Sequence, residues 1–269
     1  MTSSSPVLAG APGDCCFRGV KHAGTARGKA TEIAGIRTYI SEPPAGPAGG
    51  PNKIILFCAD VYGPFFLNNQ LIQDYFAEHG FLVLGIDYFF GDAIYLHLEK
   101  EGFDRNAWIQ NARQKAIPAF PGWLHKVRET YGADAKYYAV GYCFGAPFAL
   151  ELATTDNVAA SAFAHPAFLN EDHFTKLTKP LLLSCAEIDH TFPLESRRRA
   201  EDLLVSIKAK YYIQVFSGVS HGFAVRGDPE VENERWAKEE CARSIIAWFT
   251  RFSTGTGRSK VEAGRRSLL

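Results

Sequence analysis

Gly141-Tyr142-Cys143-Phe144-Gly145 is the segment of this sequence best suited to covalent chemistry. An apolar run at 136–140 precedes it and a helix-forming stretch at 146–153 follows. A nucleophile between two glycines at such a strand-to-helix turn is the G-x-S-x-G elbow, with Cys in place of Ser. The residues two before and two after must be small, so that strand and helix can approach. The turn pushes the side chain out over the end of the sheet. The helix that starts there brings its positive end near the sulfur, where a thiolate is favoured. The Phe144 N–H then points to where an oxyanion would form. A buried cysteine in an ordinary turn would give the same string, so the motif needs support from elsewhere in the chain.

Two residues supply it. Asp189 follows the apolar run 181–185, with Pro193 four residues further on. That is a place for a triad carboxylate, although a capping or turn aspartate looks the same. His221 lies in Gly218-Val219-Ser220-His221-Gly222-Phe223, between an apolar run at 211–216 and the last helix. Nucleophile, acid, base is the chain order of α/β-hydrolases, not of chymotrypsin or subtilisin. The chemistry implied is attack by a thiol on an ester, lactone or thioester carbonyl, with His221 as base and Asp189 orienting it.

Positioning these residues takes a particular kind of scaffold. Short, continuous apolar runs occur at 54–58, 81–86, 137–140, 159–164, 181–185 and 211–216. Continuous rather than alternating apolar character suits strands covered on both faces. Helices are predicted at 68–79, 118–131, 194–207 and 232–249, the first two ended by Gly80 and Gly132. The alternation predicts an α/β fold, a mostly parallel central sheet flanked by helices on both faces. One domain is expected over 15–252. Residues 1–14 are read as a flexible N-terminus, 43–51 as a loop and 253–269 as a flexible tail.

Composition narrows the function classes. The 29 basic and 29 acidic side chains cancel, which argues against nucleic acid or an anionic membrane as partner. No apolar run is long enough to span a membrane. The first residues lack a secretory signal, so a reducing, cytoplasmic setting is expected and the six cysteines are read as thiols. Cys15-Cys16 has no second pair at ligand spacing, so neither a metal site nor a cofactor is expected.

On these motifs the chain resembles the dienelactone hydrolase family, over about 15–249. Gly-Tyr-Cys-Phe-Gly and His221-Gly-Phe-Ala-Val-Arg carry the likeness. Cys15-Cys16, His22-Ala-Gly-Thr and Arg226-Gly-Asp point to its fungal branch. The resemblance implies an α/β-hydrolase fold without a large cap domain and a Cys143-Asp189-His221 triad. It implies that Asp60, where bacterial members have Glu, contacts the thiol and helps deprotonate it when substrate binds. The Val61 N–H would be the second oxyanion donor. Arg226 would bind a substrate carboxylate, with Arg105 or Arg113 as a second arginine. Tyr62, Tyr88, Trp108, His165 and Phe223 fall at or beyond strand ends, where this fold forms its pocket. Aromatic residues there are as often core as ligand-lining.

The function expected is hydrolysis of a carboxylic ester or lactone through an acyl-enzyme, by a monomer or homodimer acting on a small molecule. A thioesterase or cyclase acting on a polyketide-like acyl chain keeps the same triad. A non-catalytic binding protein of the same fold is the third reading, against which the intact triad argues.

Overall fold

A computed structural model describes residues 5–44 and 53–253. The loop expected at 43–51 and the tail at 253–269 thus lie almost wholly outside the described residues.

The strands are β1 (Val7–Ala9), β2 (Lys29–Ile33), β3 (Ile36–Ser41), β4 (Lys53–Cys58), β5 (Leu82–Ile86), β6 (Lys136–Tyr142), β7 (Ala160–Ala164), β8 (Leu169–Asn170), β9 (Leu181–Ile188) and β10 (Tyr211–Ser220). The helices are α1 (Leu67–Glu78), α2 (Arg105–Tyr131), α3 (Ala146–Ala153), α4 (Glu171–Thr175), α5 (Leu194–Ser206), α6 (Phe223–Arg226) and α7 (Glu232–Arg251). Eight strands make one sheet in the order β10-β9-β7-β6-β4-β5-β3-β2. All neighbours from β10 to β5 run parallel; β3 and β2 add an antiparallel edge.

The apolar runs are continuous because the sheet is covered twice. On β4, Ile54, Leu56 and Cys58 enter one core, which also contains Trp123 and Phe148. Ile55 and Phe57 enter the other, with Phe76 and Phe249. Successive strand side chains point to opposite faces, so both sets must be apolar.

Parallel pairing also fixes where the chemistry sits. Asp60 follows β4, Cys143 follows β6, His165 follows β7, Asp189 follows β9 and His221 follows β10. Five neighbouring strands therefore deliver these residues to the carboxyl-end side of the sheet, where open α/β folds usually keep their sites.

Three elements differ from their sequence-based expectations. α2 begins at Arg105, not at 118, and runs through Pro118 and Pro121. The Asp104 side chain caps it by accepting from the Ala107 N–H at 2.9 Å. Both prolines lie on the solvent face, as do Gln114 and Ile117, whose carbonyls lose their helical donors to the prolines. Trp108, Ile109, Ala112, Ala116, Phe120, Trp123 and Val127 form a continuous buried stripe, and that packing holds the helix together across the prolines. The second difference is the amino-terminal stretch. It contains β1, which pairs antiparallel with β8, and a 3-10 turn at Asp14–Phe17. Finally, β10 runs beyond 216, with a register break between Phe216 and Ser220 that sets Ser220 opposite Ile188.

Candidate active site

Cys143 occupies the elbow between β6 and α3 with φ of 47°. A side chain in the left-handed region is strained and persists only where its surroundings impose it. Here the two glycines allow it. A Cβ on Gly141 would meet the Gly145 carbonyl oxygen at 2.5 Å, and a Cβ on Gly145 would meet that of Cys58 at 2.1 Å. Gly145→Ala is therefore expected to destabilise the fold by about 3 kcal/mol through backbone displacement, read as a lowered urea midpoint. An unchanged midpoint would show that the elbow can relax.

The register break in β10 has a local purpose. It lets the His221 N–H donate to the Ile188 carbonyl at 3.1 Å. The imidazole then lies against Asp189, with Nδ1 at 2.9 and 3.0 Å from the two carboxylate oxygens. Asp189 also accepts from the Thr191 and Phe192 N–H groups at 2.9 and 3.2 Å. Burial alone would push the Asp189 carboxyl up, but the His221 charge and the hydrogen bonds from the His221 ring and the Thr191 hydroxyl hold it at about 2. Burial likewise disfavours a charged His221. Cys16 and Asp189 on either side outweigh that and raise it well above the ordinary histidine value.

The sulfur of Cys143 and a ring nitrogen of His221 lie within 4.8 Å of each other. The structure thus brings together the three residues that the sequence placed far apart, and all three are buried. Behind them sits His165, fully buried, with its ring edge-on to His221 at 4.9 Å and to Phe223 at 5.7 Å. Neither of its ring nitrogens has a hydrogen-bond partner among the described residues. Burial and the neighbouring His221 push its basicity well down.

Asp60, expected to contact the thiol when substrate binds, has other partners in this structure. Its Oδ2 pairs with the Arg226 guanidinium, and its Oδ1 accepts from Asn69 Nδ2 at 2.9 Å and the Tyr62 N–H at 3.2 Å. The shorter aspartate is held by its own turn and by α1, so it is turned toward Arg226. That engages Arg226 too. Its Nε donates to the Arg18 carbonyl at 2.9 Å, and its guanidinium stacks over the Tyr62 ring at 4.7 Å. Of the candidate second arginines, Arg105 pairs with Asp14 at 3.1 Å and Arg113 lies over the Phe168 ring at 4.1 Å.

The aromatic candidates divide. Tyr62 packs with Phe66 and Tyr95, and the Tyr95 ring is part-exposed. Tyr88 is fully buried against Phe89, Phe144 and Phe148, with its hydroxyl donating to the Ala59 carbonyl. Trp108 stacks on Phe89 and donates to the Asp92 carbonyl at 3.0 Å. The backbone at Val61 and Phe144 lies at the ends of β4 and β6, which are hydrogen-bonded neighbours.

Sequence reasoning missed two site residues. Thr191 Oγ1 lies 2.6 Å from Asp189 Oδ1, 2.9 Å from His221 Nδ1 and 2.7 Å from the Pro166 carbonyl oxygen. No motif announces it. The Cys16 sulfur lies 3.7 Å from that of Cys143; the Cys15-Cys16 pair was its only signal.

Comparisons with known proteins bear on the family and the fold. The family model described as "Dienelactone hydrolase family" matches residues 36–253. "Dienlactone hydrolase 1" of Gibberella moniliformis is 33% identical over 253 residues, covering 91% of this chain and 96% of that protein. "Hydrolase pyvD" of Aspergillus violaceofuscus is 32% identical, covering 90% and 97%. Among solved structures, a dienelactone hydrolase from Anabaena variabilis superposes with a TM-score of 0.56 at 17% identity, covering 84% of this chain and 98% of that one. At that identity the match speaks for the α/β-hydrolase fold alone. No helix among the described residues is long and apolar enough to cross a membrane. With an elbow cysteine, a buried Asp–His pair and a family match over most of its length, the chain belongs to the dienelactone hydrolase family, and it is a hydrolase of that kind.

Proposed function

We propose that the protein hydrolyses a carboxylic ester or lactone by nucleophilic catalysis at Cys143. The observation that carries this reading is the strained elbow, which sets Cys143 at φ 47° beside an imidazole whose other nitrogen is held by Asp189. Strain at a side chain is stored where function needs it, and a buried thiol serving only to pack has no need of it.

In this mechanism His221 takes the thiol proton and the thiolate attacks the carbonyl carbon. The N–H groups of Val61 and Phe144 stabilise the oxyanion; each such donor is worth about 2.7–4 kcal/mol of barrier. The C–O bond breaks, His221 protonates the leaving alkoxide and an acyl-Cys143 remains. Water deprotonated by His221 then attacks the thioester and releases the acid. Asp60 assists the thiol only if its pair with Arg226 opens when substrate arrives.

A panel of small aryl esters and lactones tests the reading. The expected result is turnover with an acyl adduct on the Cys143 peptide in quenched samples. Hydrolysis without an adduct there would overturn the nucleophile. A second reading, release or cyclisation of a polyketide-like thioester, draws on the Tyr62–Phe66–Tyr95 cluster, which offers flat apolar area. Product analysis separates a free acid from a cyclised product.

A further inference from the structure

We propose that Cys16, Cys143 and His221 form a binding site for one thiophilic divalent cation, zinc foremost, and that its occupation switches the hydrolase off. The switching rests on the catalytic reading of Cys143 and His221 given above; the binding does not.

Two sulfurs and one imidazole nitrogen lie within 4.8 Å of one another. The sulfurs are 3.7 Å apart. In a tetrahedral zinc site with Zn–S bonds near 2.3 Å, two thiolates are separated by about 3.8 Å. The pair already has that spacing, so a cation needs little movement of either cysteine. A Cys16–Cys143 disulfide would instead require the sulfurs to close by about 1.7 Å.

The histidine is prepared in the same sense. Metal-bound imidazoles usually donate their second nitrogen to a carboxylate, which fixes the ring and its tautomer. Here Nδ1 is held by Asp189 at 2.9 Å, with Thr191 Oγ1 also at 2.9 Å. That leaves Nε2 as the nitrogen available to a cation held by the two sulfurs. Two sulfurs and a nitrogen favour zinc or cobalt over magnesium or calcium. The group supplies three ligands, which leaves a fourth position for water.

The third ligand is delivered by a pinned segment. The Gly10 N–H donates to the Thr191 carbonyl at 2.8 Å, and the Phe168 N–H donates to that of Gly10 at 2.9 Å. On the far side, the Val20 N–H donates to the Arg226 carbonyl at 3.2 Å. Between these anchors the strap crosses the site, and its 3-10 turn holds Cys16 against Cys143. A cleft of about 490 Å³, lined in part by Gly13, Asp14, Phe17, Phe103 and Arg105, lies against this same turn. A cation bound here consumes the thiolate that would attack substrate and the lone pair that would accept its proton.

The test uses the reduced full chain, titrated with Zn²⁺ against a chromophoric chelator, with native mass spectrometry counting the ions. One Zn²⁺ per chain is expected, with activity lost in step with occupancy and restored by EDTA. Co²⁺ in its place should give thiolate charge-transfer and tetrahedral d–d bands. Cys16→Ser and Cys143→Ala should each bind Zn²⁺ more than about 100-fold more weakly, since even lost outer-shell partners cost about 10–100-fold. Absence of binding, or unchanged affinity in either variant, would overturn the site. Binding with activity unaffected would overturn the switch alone. If Cys16→Ser does not fold, iodoacetamide labelling of the parent decides: Zn²⁺ must slow alkylation of Cys16 as well as Cys143, and Cys16 labelling at an unchanged rate refutes the proposal. Chelator affinity is read without turnover, so failure of the hydrolase reading would leave the binding result standing.

Discussion

Replacing Cys143 by alanine is expected to lower kcat on any accepted ester or lactone by roughly 10⁴- to 10⁶-fold. The size of the effect follows from what is removed. Without the sulfur, no acyl-enzyme can form, and only the oxyanion donors and substrate binding still assist water. The fold should survive. Alanine keeps the Cβ, so the strain at φ 47° is unchanged. Truncating one buried sulfur leaves a small cavity that costs on the order of 1 kcal/mol. Steady-state kinetics, with circular dichroism as the control for folding, checks both halves. A well-folded variant that retained more than a tenth of the parent activity would exclude Cys143 as the nucleophile.

Asp189→Asn is expected to reduce kcat by about 10³- to 10⁴-fold with KM little changed. The carboxylate has two duties that an amide performs poorly. Its charge stabilises the imidazolium that forms when His221 takes the thiol proton. Its two oxygens, both within hydrogen-bond reach of Nδ1, hold the ring and leave Nε2 as the nitrogen that can act as base. An Asn can present its NH₂ to Nδ1, which favours the tautomer with Nε2 protonated and unable to act as base. The Thr191 and Phe192 N–H groups would lose a charged acceptor for a neutral one, so a modest stability loss should accompany the kinetic one. A fall in kcat/KM that came wholly from KM would assign Asp189 to substrate binding instead.

Much of the scaffold was legible because its physical causes are local. Sheet strands covered on both faces must be apolar at every position, so the segments around Ile54–Phe57 and Leu181–Leu183 announce themselves. Gly80 and Gly132 sit past helix ends with φ of 85° and 94°, a conformation that few other residues adopt. The start of α2 was missed for the opposite reason. Proline is a local signal for a helix start, but a stripe from Trp108 to Val127 packed on the core overrides it.

The site divides in the same way. By itself the sequence determined the strand-to-helix elbow, the chain order Cys143, Asp189, His221 and the family, since each is written in neighbouring residues or in their order. Tertiary structure alone decided the partners. Asp60 lies with Arg226, because the hydrogen bonds from Asn69 and Tyr62 and the charge of Arg226 converge on it from three segments. Cys16 lies against Cys143 because β1 and the contacts of Gly10 and Val20 draw a remote strap across the sheet edge. Spacing along the chain carries no record of such a meeting. Cys16, read as lacking metal partners at its own end of the sequence, meets Cys143 and His221 only when the chain is folded.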